Sequence, residues 1–177
     1  TPKIILCTTK REEDNELCDI ALRNNIDFFR GSEIDKIKRW YDACNHFNVK
    51  NFVNVDGDDL FFDPGLADMV LKMLIEEDFD FIDGQGLYND AYGMNYKAIK
   101  CVVENKNNSD TELIKSFFYD MSSQIKIKKI TNPPEIYKKK NIRLTLDYPE
   151  DFTLFSEVIK YFKDNKKPKN FILIYSN

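Results

Sequence analysis

The first half of the chain alternates short apolar runs with segments of helical spacing, and this alternation restricts the fold more than any other feature. Apolar runs at 3–8, 26–29, 51–55 and 79–82 are strand-sized, whereas 14–24, 34–47 and 64–76 carry apolar residues at helical intervals. Strands that alternate with helices at this spacing require right-handed crossovers and parallel pairing. The sequence therefore predicts an α/β fold with a mostly parallel sheet and helices on both faces.

The second half is less regular. Gly84, Gly86 and Gly93 interrupt it and predict a loop before a helix at 95–104. We further predict a short helix at 111–119, strands at 124–130 and 143–146, and a helix that Pro149 opens and that continues to 162. The lysine run at 138–140 fits a solvated turn, 163–169 a polar linker and 171–175 a last strand.

Composition and charge exclude several classes of protein. The 177 residues suffice for one domain, predicted over 1–177, with a real core. A net charge of −4, spread along the chain, offers no broad positive field for nucleic acid. Four dispersed cysteines without a CxxC pair predict reduced thiols rather than a zinc site. No apolar run approaches the roughly 20 residues of a membrane span, and no signal peptide is evident, so we expect no membrane partner and a cytoplasmic location.

An acidic loop follows the predicted strand at 51–55. It contains Asp56, Gly57, Asp58 and Asp59, and Asp63 stands before Pro64. Ligands of open α/β sheets bind beyond the carboxyl ends of strands, and a glycine allows a sharp turn there. Clustered carboxylates repel each other unless a cation holds them, and hard oxygen ligands suit Mg²⁺ bound jointly with phosphates. The loop predicts a magnesium site with Asp58 or Asp56 as the ligand.

A structural interpretation competes with the metal at each of these positions. Asp63 is in the right place to cap the helix that Pro64 opens, and we predict that role for it. By spacing alone, Asp147 is likewise an ordinary cap before Pro149. The alternative is that Asp58 and Asp147, from two strand ends, converge on one metal.

Four segments, taken in order, resemble the spore coat polysaccharide biosynthesis protein F family, which is similar to the CMP-Kdo and CMP-sialic acid synthetases. The likeness covers about residues 3–162. It implies a Rossmann-like nucleotidyltransferase fold of three layers and the activation of a sugar with CTP. The segments are Phe29-Arg30-Gly31-Ser32 with Asp35 and Arg39, Gly57-Asp58-Asp59 with Asp63-Pro64, Gly93-Met94-Asn95-Tyr96, and Arg143-Leu144-Thr145-Leu146-Asp147 with Pro149-Glu150-Asp151.

The resemblance also implies roles for particular residues. Asp58 and Asp147 match the two aspartates that hold Mg²⁺ in the related synthetases, and both are therefore predicted as metal ligands and catalytic residues. The implied nucleotide contacts are Arg30, Gly31, Ser32 and Gly57, and the implied sugar contacts are Gly93, Met94, Asn95 and Tyr96. Asp35 and Arg39 have a second interpretation, as an ion pair four residues apart on a helix. The expected partners are CTP, a sugar, and a second copy paired through about 95–130.

The sequence departs from the family pattern in two places. The family opens with a strand and an Arg-Leu-Pro-Gly-Lys loop that grips the CTP phosphates, and this chain starts at what matches the second strand. We therefore expect the first strand and loop to be missing. Asp59-Leu60 stands where the family has Cys-Pro or Glu-Pro. Three hypotheses remain: a sugar cytidylyltransferase, a nucleotide- or sugar-binding module without turnover, and a cytidylyltransferase for a non-sugar alcohol or phosphonate.

Overall fold

The structure, a computed structural model, describes residues 3–87, 89–138 and 144–165. Within those ranges it contains six strands and six α-helices. The strands are β1 (Ile5–Thr9), β2 (Asp27–Gly31), β3 (Asn51–Asn54), β4 (Phe81–Asp83), β5 (Tyr92–Asn95) and β6 (Ile127–Lys129). The helices are α1 (Asn15–Arg23), α2 (Lys36–Phe47), α3 (Pro64–Glu76), α4 (Tyr96–Asn105), α5 (Ile114–Asp120) and α6 (Pro149–Asp164).

The described strands form two sheets. β1 and β2 pair in parallel, with Ile5 opposite Asp27 and Thr9 opposite Gly31. The other sheet has four strands in the order β3-β5-β4-β6. The alternation of strands and helices from β1 to β4 is the one predicted from the sequence, and each predicted helix in that stretch is present.

β5 corrects the sequence prediction for the segment that contains Gly93 and Met94. A loop was expected there because glycines interrupt the pattern, yet the segment is a buried strand. Gly93 is needed because a Cβ atom at that position would lie 2.7 Å from Cγ1 of Val70. Backbone bonds from Asn95 N–H to Asp80 O and from Gly84 N–H to Ala91 O make β4 and β5 an antiparallel hairpin.

The Cα positions group into two compact units. The first, here called the cleft unit, contains Thr1–Phe52, Phe79–Phe81 and Met94–Ile127. The second, here called the acidic unit, contains Val53–Asp78, Ile82–Gly93 and Lys128–Asn177. The single domain expected over 1–177 stays a prediction.

Each unit has its own apolar core. In the cleft unit, α2 packs on α4, and the Phe81 ring stacks on Phe118 with centroids 4.3 Å apart. In the acidic unit, Phe61 packs edge-on against Phe155 at 5.0 Å. Burial of this apolar surface is the main favourable term that holds each unit together. The fully buried members include Ile37, Ala98, Ile99 and Val102 in the first core, and Leu66, Val70 and Ile82 in the second.

Helix starts in the acidic unit confirm one predicted cap and correct another. Asp63 accepts the Gly65 N–H at 2.7 Å, as predicted for the start of α3. Asp147, however, does not cap α6, whose N-cap is Tyr148. The Asp151 carboxylate instead accepts the N–H groups of Asp147 and Tyr148, at 3.0 and 2.9 Å. Asp151, in the first turn of α6, therefore accepts the hydrogen bonds at the start of the helix, where spacing had predicted Asp147 as the cap.

The strand predicted at 143–146 is also corrected, since Leu144–Leu146 has no strand conformation and residue 143 lies outside the described residues. The predicted strand at 171–175, most of the linker and residues 139–140 of the lysine run lie outside them too. In the part of the chain that is described, no helix is long and apolar enough to cross a membrane.

Candidate functional site

The cleft unit contains a surface cleft of about 460 Å³. It brings the predicted nucleotide contacts Arg30, Gly31 and Ser32 together with the loop between β1 and α1. Sequence reasoning missed that loop, because nothing in the spacing of Lys10 and Arg11 connects them to β2. The cleft is lined by Lys10, Arg11, Phe29, Arg30, Gly31, Ser32, Glu33 and Asp42.

Arg30 holds the β1–α1 loop in place. Its Nε donates to Thr9 O at 2.7 Å, and its two terminal nitrogens donate to Asn15 Oδ1 at 2.6 Å and Arg11 O at 2.5 Å. Three of its five N–H groups are therefore used within the protein. Arg30 lines the cleft, and much of its hydrogen bonding shapes the cleft wall. Nucleotide binding by Arg30 stays a prediction.

Asp14 fixes the same loop from the other side. Its Oδ2 accepts the hydroxyl of Thr8 at 2.7 Å and both the N–H and the hydroxyl of Thr9, at 2.9 and 2.5 Å. Hydrogen bonds to a carboxylate favour its charged form. The bonds from Thr9 and then Thr8 accordingly lower the pKa of Asp14 to about 2.

Among the cations that line the cleft, Lys10 has no partner in the described part of the chain. Arg11 pairs with Glu33 at 3.0 Å, and Lys38, outside the lining, holds Asp42 at 2.5 Å. No ion pair engages Lys10 among the residues that the structure describes. Because both acids of the cleft are already neutralised, the cleft favours an anionic ligand, and the Phe29 ring offers it an aromatic surface.

The predicted ion pair between Asp35 and Arg39 is wrong. Asp35 caps α2 by accepting the Lys38 N–H at 2.9 Å, and its other oxygen pairs with Lys106 Nζ at 2.5 Å. Arg39 instead donates from Nη1 to the carbonyl oxygen of Ser32 at 2.6 Å. A capping carboxylate faces the helix amides, so it is turned away from the residue four positions later.

In the acidic unit, the loop after β3 is joined to the segment before α6. Leu146 N–H donates to Asp58 O at 3.0 Å, which brings the backbones around Asp58 and Asp147 together. Asp58 is half-buried, and its carboxylate accepts no hydrogen bond from the described residues. Asp147 is exposed and accepts the Thr145 hydroxyl at 3.1 Å. The two aspartates named by the resemblance are thus held on adjoining segments.

Asp59 differs from its neighbours because it is buried, with 8% of its surface exposed. Asn89 Nδ2 donates to it at 3.1 Å, and sequence reasoning had no signal for this partner. Burial is the main cause that raises the pKa of Asp59 to about 7, and the charges of Asp58, Asp56 and Asp90 add to the increase. Asp59 is therefore a poorer ligand for a cation from solvent than Asp58.

Metal binding by Asp58 and Asp147 stays a prediction. Within the described ranges, no group of three or more His, Cys, Asp or Glu side chains is arranged to hold a metal. Proteins commonly bind Mg²⁺ through one or two carboxylates and leave the other positions to water and phosphate, so two aspartates would suffice for such a site. Gly57, on the same loop, is exposed, and nothing lies within 4 Å of the Cβ position at that residue.

The four predicted sugar contacts have structural roles in their units. Gly93 and Met94 are buried in β5. Asn95 caps α4 through the Ala98 N–H at 2.8 Å and donates to Asp80 at 2.8 Å. The Tyr96 ring stacks on Tyr41 at 5.7 Å, and its hydroxyl donates to Asn45 at 2.8 Å. Sugar binding by these four residues stays a prediction.

Comparison with known proteins gives a fold but no family. No family model matches the chain. An uncharacterized protein of Methanocaldococcus jannaschii is 29% identical over 164 residues, which is 90% of this chain and 66% of that protein. The solved structure of a cytidylyltransferase from Leptospira borgpetersenii serovar Hardjo-bovis is similar with a TM-score of 0.71 and 19% identity, over 98% of this chain and 79% of that one. The predicted α/β fold of the Rossmann-like type is therefore confirmed.

Proposed function

We propose that the protein is a cytidylyltransferase that transfers CMP from CTP to a sugar or acidic sugar and releases pyrophosphate. The observation that carries the proposal is the backbone bond from Leu146 to Asp58, which joins the two aspartate segments that the sequence resemblance paired. The fold shared with the Leptospira cytidylyltransferase supports it, as does a cleft that suits an anionic nucleotide.

Asp58 and Asp147 would hold Mg²⁺ in the acidic unit. When bound, this ion neutralises charge on the reacting phosphates and helps to orient them. Asp58 suits the role because its carboxylate has no hydrogen-bond donor among the described residues and bears like charges nearby. Asp63, already committed to the N-terminus of α3, stays outside the site.

The cleft would bind the nucleoside part of CTP. Gly31 and Ser32 present backbone and hydroxyl groups at its wall, and Phe29 offers a face for the base. Lys10 would contact the anionic part of the ligand, since its ammonium group has no partner among the described residues. Arg30 would act mainly by holding the β1–α1 loop against which the ligand lies.

The reaction needs positioning more than covalent help from the protein. A sugar oxygen forms a bond to the α-phosphorus, the bond from that phosphorus to the leaving pyrophosphate oxygen breaks, and the hydroxyl proton passes to solvent. Such transfers depend on alignment and charge neutralisation. No side-chain nucleophile is required, which agrees with thiols of raised pKa at Cys7 and Cys44, where burial is the main cause.

Calorimetric titration with CTP, with and without Mg²⁺, tests the proposal. We expect binding that Mg²⁺ strengthens and that Asp58→Asn weakens by at least tenfold. The matched control is Asp68→Asn, an exposed carboxylate on α3 that should bind as the unaltered chain does. CTP should also bind more tightly than UTP or GTP.

Substrate class is decided by pyrophosphate release from CTP with a panel of neutral sugars, acidic sugars and phosphocholine. Release with sugars alone supports the sugar substrate, and release with phosphocholine alone rejects it. Tight CTP binding without turnover of any acceptor would leave a nucleotide-binding module. Absence of CTP binding in the presence of Mg²⁺ would contradict the proposed function.

A further inference from the structure

Arg39 is a buried cation without a carboxylate partner among the residues that the structure describes. Only 9% of its surface is exposed. Its Nη1 donates to Ser32 O at 2.6 Å and to Glu33 O at 3.4 Å, and its Nε is buried without any partner. Within the described part of the chain, the charge is therefore offset by carbonyl dipoles of the cleft wall.

Stability does not account for an arginine at this position. The two acids that flank Arg39 on this segment are already paired, Asp35 at the N-cap with Lys106 and Asp42 with Lys38, each at 2.5 Å. A buried charge without a counter-ion costs free energy, and so does an N–H without an acceptor. An apolar side chain of similar length would fill the same space without either penalty. The guanidinium is therefore explained better by the hydrogen bonds that it donates to the carbonyl groups of the cleft wall.

The stem of Arg39 presses on that same wall. A Cβ atom at Gly31 would lie 2.8 Å from Arg39 Cγ and 3.0 Å from Phe29 Cε1, so the side chain and the Gly31 backbone are in close contact. The head of the side chain holds the next two carbonyl groups, those of Ser32 and Glu33. One buried side chain thus contacts three consecutive residues that line the cleft.

We propose that Arg39 is a positioning residue that fixes the backbone of Gly31–Glu33 in the shape that recognises the ligand. It does not line the cleft itself, and it acts through the carbonyl groups of Ser32 and Glu33. The identity of the ligand rests on the proposed function. The proposal that Arg39 fixes this backbone does not rest on the proposed function, since it concerns the protein without ligand.

Hydrogen exchange of the ligand-free protein tests the wall directly. Arg39→Met should raise the exchange rates of the amides at 31–34 by about tenfold and leave those of α4 unchanged. Arg39→Lys keeps the charge but loses the planar fork, so we expect an intermediate rate. Arg23→Met, on the exposed face of α1, is the matched control and should exchange as the unaltered protein does.

Titration with CTP, UTP and cytidine tests the consequence for recognition. Arg39→Met should weaken CTP binding by at least tenfold and narrow the preference for CTP over UTP, while its thermal midpoint stays within a few degrees. If Arg39→Met lost affinity for CTP together with a large drop in thermal midpoint, Arg39 would be a structural residue, and the proposal would be overturned. Unchanged exchange at 31–34 together with unchanged affinity would overturn the proposal.

Gly31→Ala provides a second test if Arg39→Met does not fold. The added Cβ displaces the stem of Arg39, so the same faster exchange and weaker binding are expected. A Gly31→Ala protein with unaltered exchange and affinity would also overturn the proposal. If the unaltered chain binds no cytidine nucleotide, the proposed function fails alone, and the exchange rates still decide the role of Arg39.

Discussion

The loops that follow β1 and β3 lie at equivalent places in a strand-loop-helix pattern, yet their carboxylates differ in how many hydrogen bonds they accept. After β1, Asp14 accepts three hydrogen bonds and Arg30 of β2 donates three, so polar groups of the protein itself hold the loop. After β3, Asp58 accepts none from the described residues and Asp59 has one, from Asn89. The first loop is complete without a ligand, whereas the second accumulates negative charge.

This difference shows in the two carboxyl groups at the centre of each loop. Hydrogen bonds lower the pKa of Asp14 to about 2, and burial raises that of Asp59 to about 7. One ionised group stabilises the folded state, and the other destabilises it. The loop after β1, which is held in place without a ligand, suits recognition of a rigid base. The loop after β3, whose Asp58 carboxylate accepts no hydrogen bond from the described residues, suits a cation.

The largest expected effect is on the pH dependence that Asp59 produces. Its folded pKa lies above the unfolded value of 3.8, so the penalty of ionisation is absent below about pH 4, grows up to about pH 7 and is complete above it. We expect the metal-free protein to be less stable at pH 8 than at pH 4, by an order of 3 kcal/mol from this group.

Urea unfolding at a series of pH values measures this slope. In Asp59→Asn the slope should be much smaller, because the amide keeps the oxygen that accepts from Asn89 and does not ionise. Asp68→Asn, with an exposed side chain, should keep the slope of the unaltered protein. Equal slopes in the Asp59 variant and the unaltered protein would remove the contrast between the two loops.

Asp14→Asn should have the next largest effect, with the opposite sign. The folded pKa of about 2 lies below the unfolded value of 3.8, so the stabilising contribution is complete above about pH 4 and is lost as pH falls through about 2. Losing hydrogen bonds to a partly exposed carboxylate costs about 2 kcal/mol at neutral pH. Urea unfolding should show that loss at pH 7 and a shrinking difference towards pH 2, and Asp19→Asn on the exposed face of α1 should show neither.

The smallest expected effect distinguishes Asp63, a helix cap, from Asp58, the proposed metal ligand in the same loop. Asp63→Ala removes the cap of α3 and should cost about 1 kcal/mol of unfolding free energy. The increase in thermal midpoint that Mg²⁺ produces should be the same as in the unaltered protein. If Asp63→Ala abolished that increase, the division of roles between Asp63 and Asp58 would be wrong.

Sequence reasoning found the elements whose periodicity is local. The first three helices follow from apolar spacing, and the cap at Asp63 follows from its place before Pro64. It missed β5, because three glycines had suggested a loop and because the reason for Gly93 is a contact with Val70, over twenty positions earlier. It also gave the α6 cap to Asp147, since spacing cannot show that Asp151 reaches back to the preceding amides.

In the candidate sites, too, sequence reasoning found residues of local motifs and missed partners from distant segments. Resemblance to a family named Arg30 and Ser32, and the acidic loop itself already pointed to Asp58. The structure adds partners that no local pattern encodes. Lys10 joins the cleft because β1 pairs with β2, and Asn89 reaches Asp59 from a loop thirty positions away. The Asp35–Arg39 pair failed because a helix spacing of four allows a contact without specifying it.

The strand order β3-β5-β4-β6 has a consequence for how the chain acquires its native form. β3 has β5 as its neighbour in that order, so this pairing cannot form until the chain through Asn95 has been synthesised. Pairing across such a separation is slow relative to local helix formation. The acidic loop directly follows β3, and it is therefore expected to become ordered late in folding, after the helices on either side of it have formed.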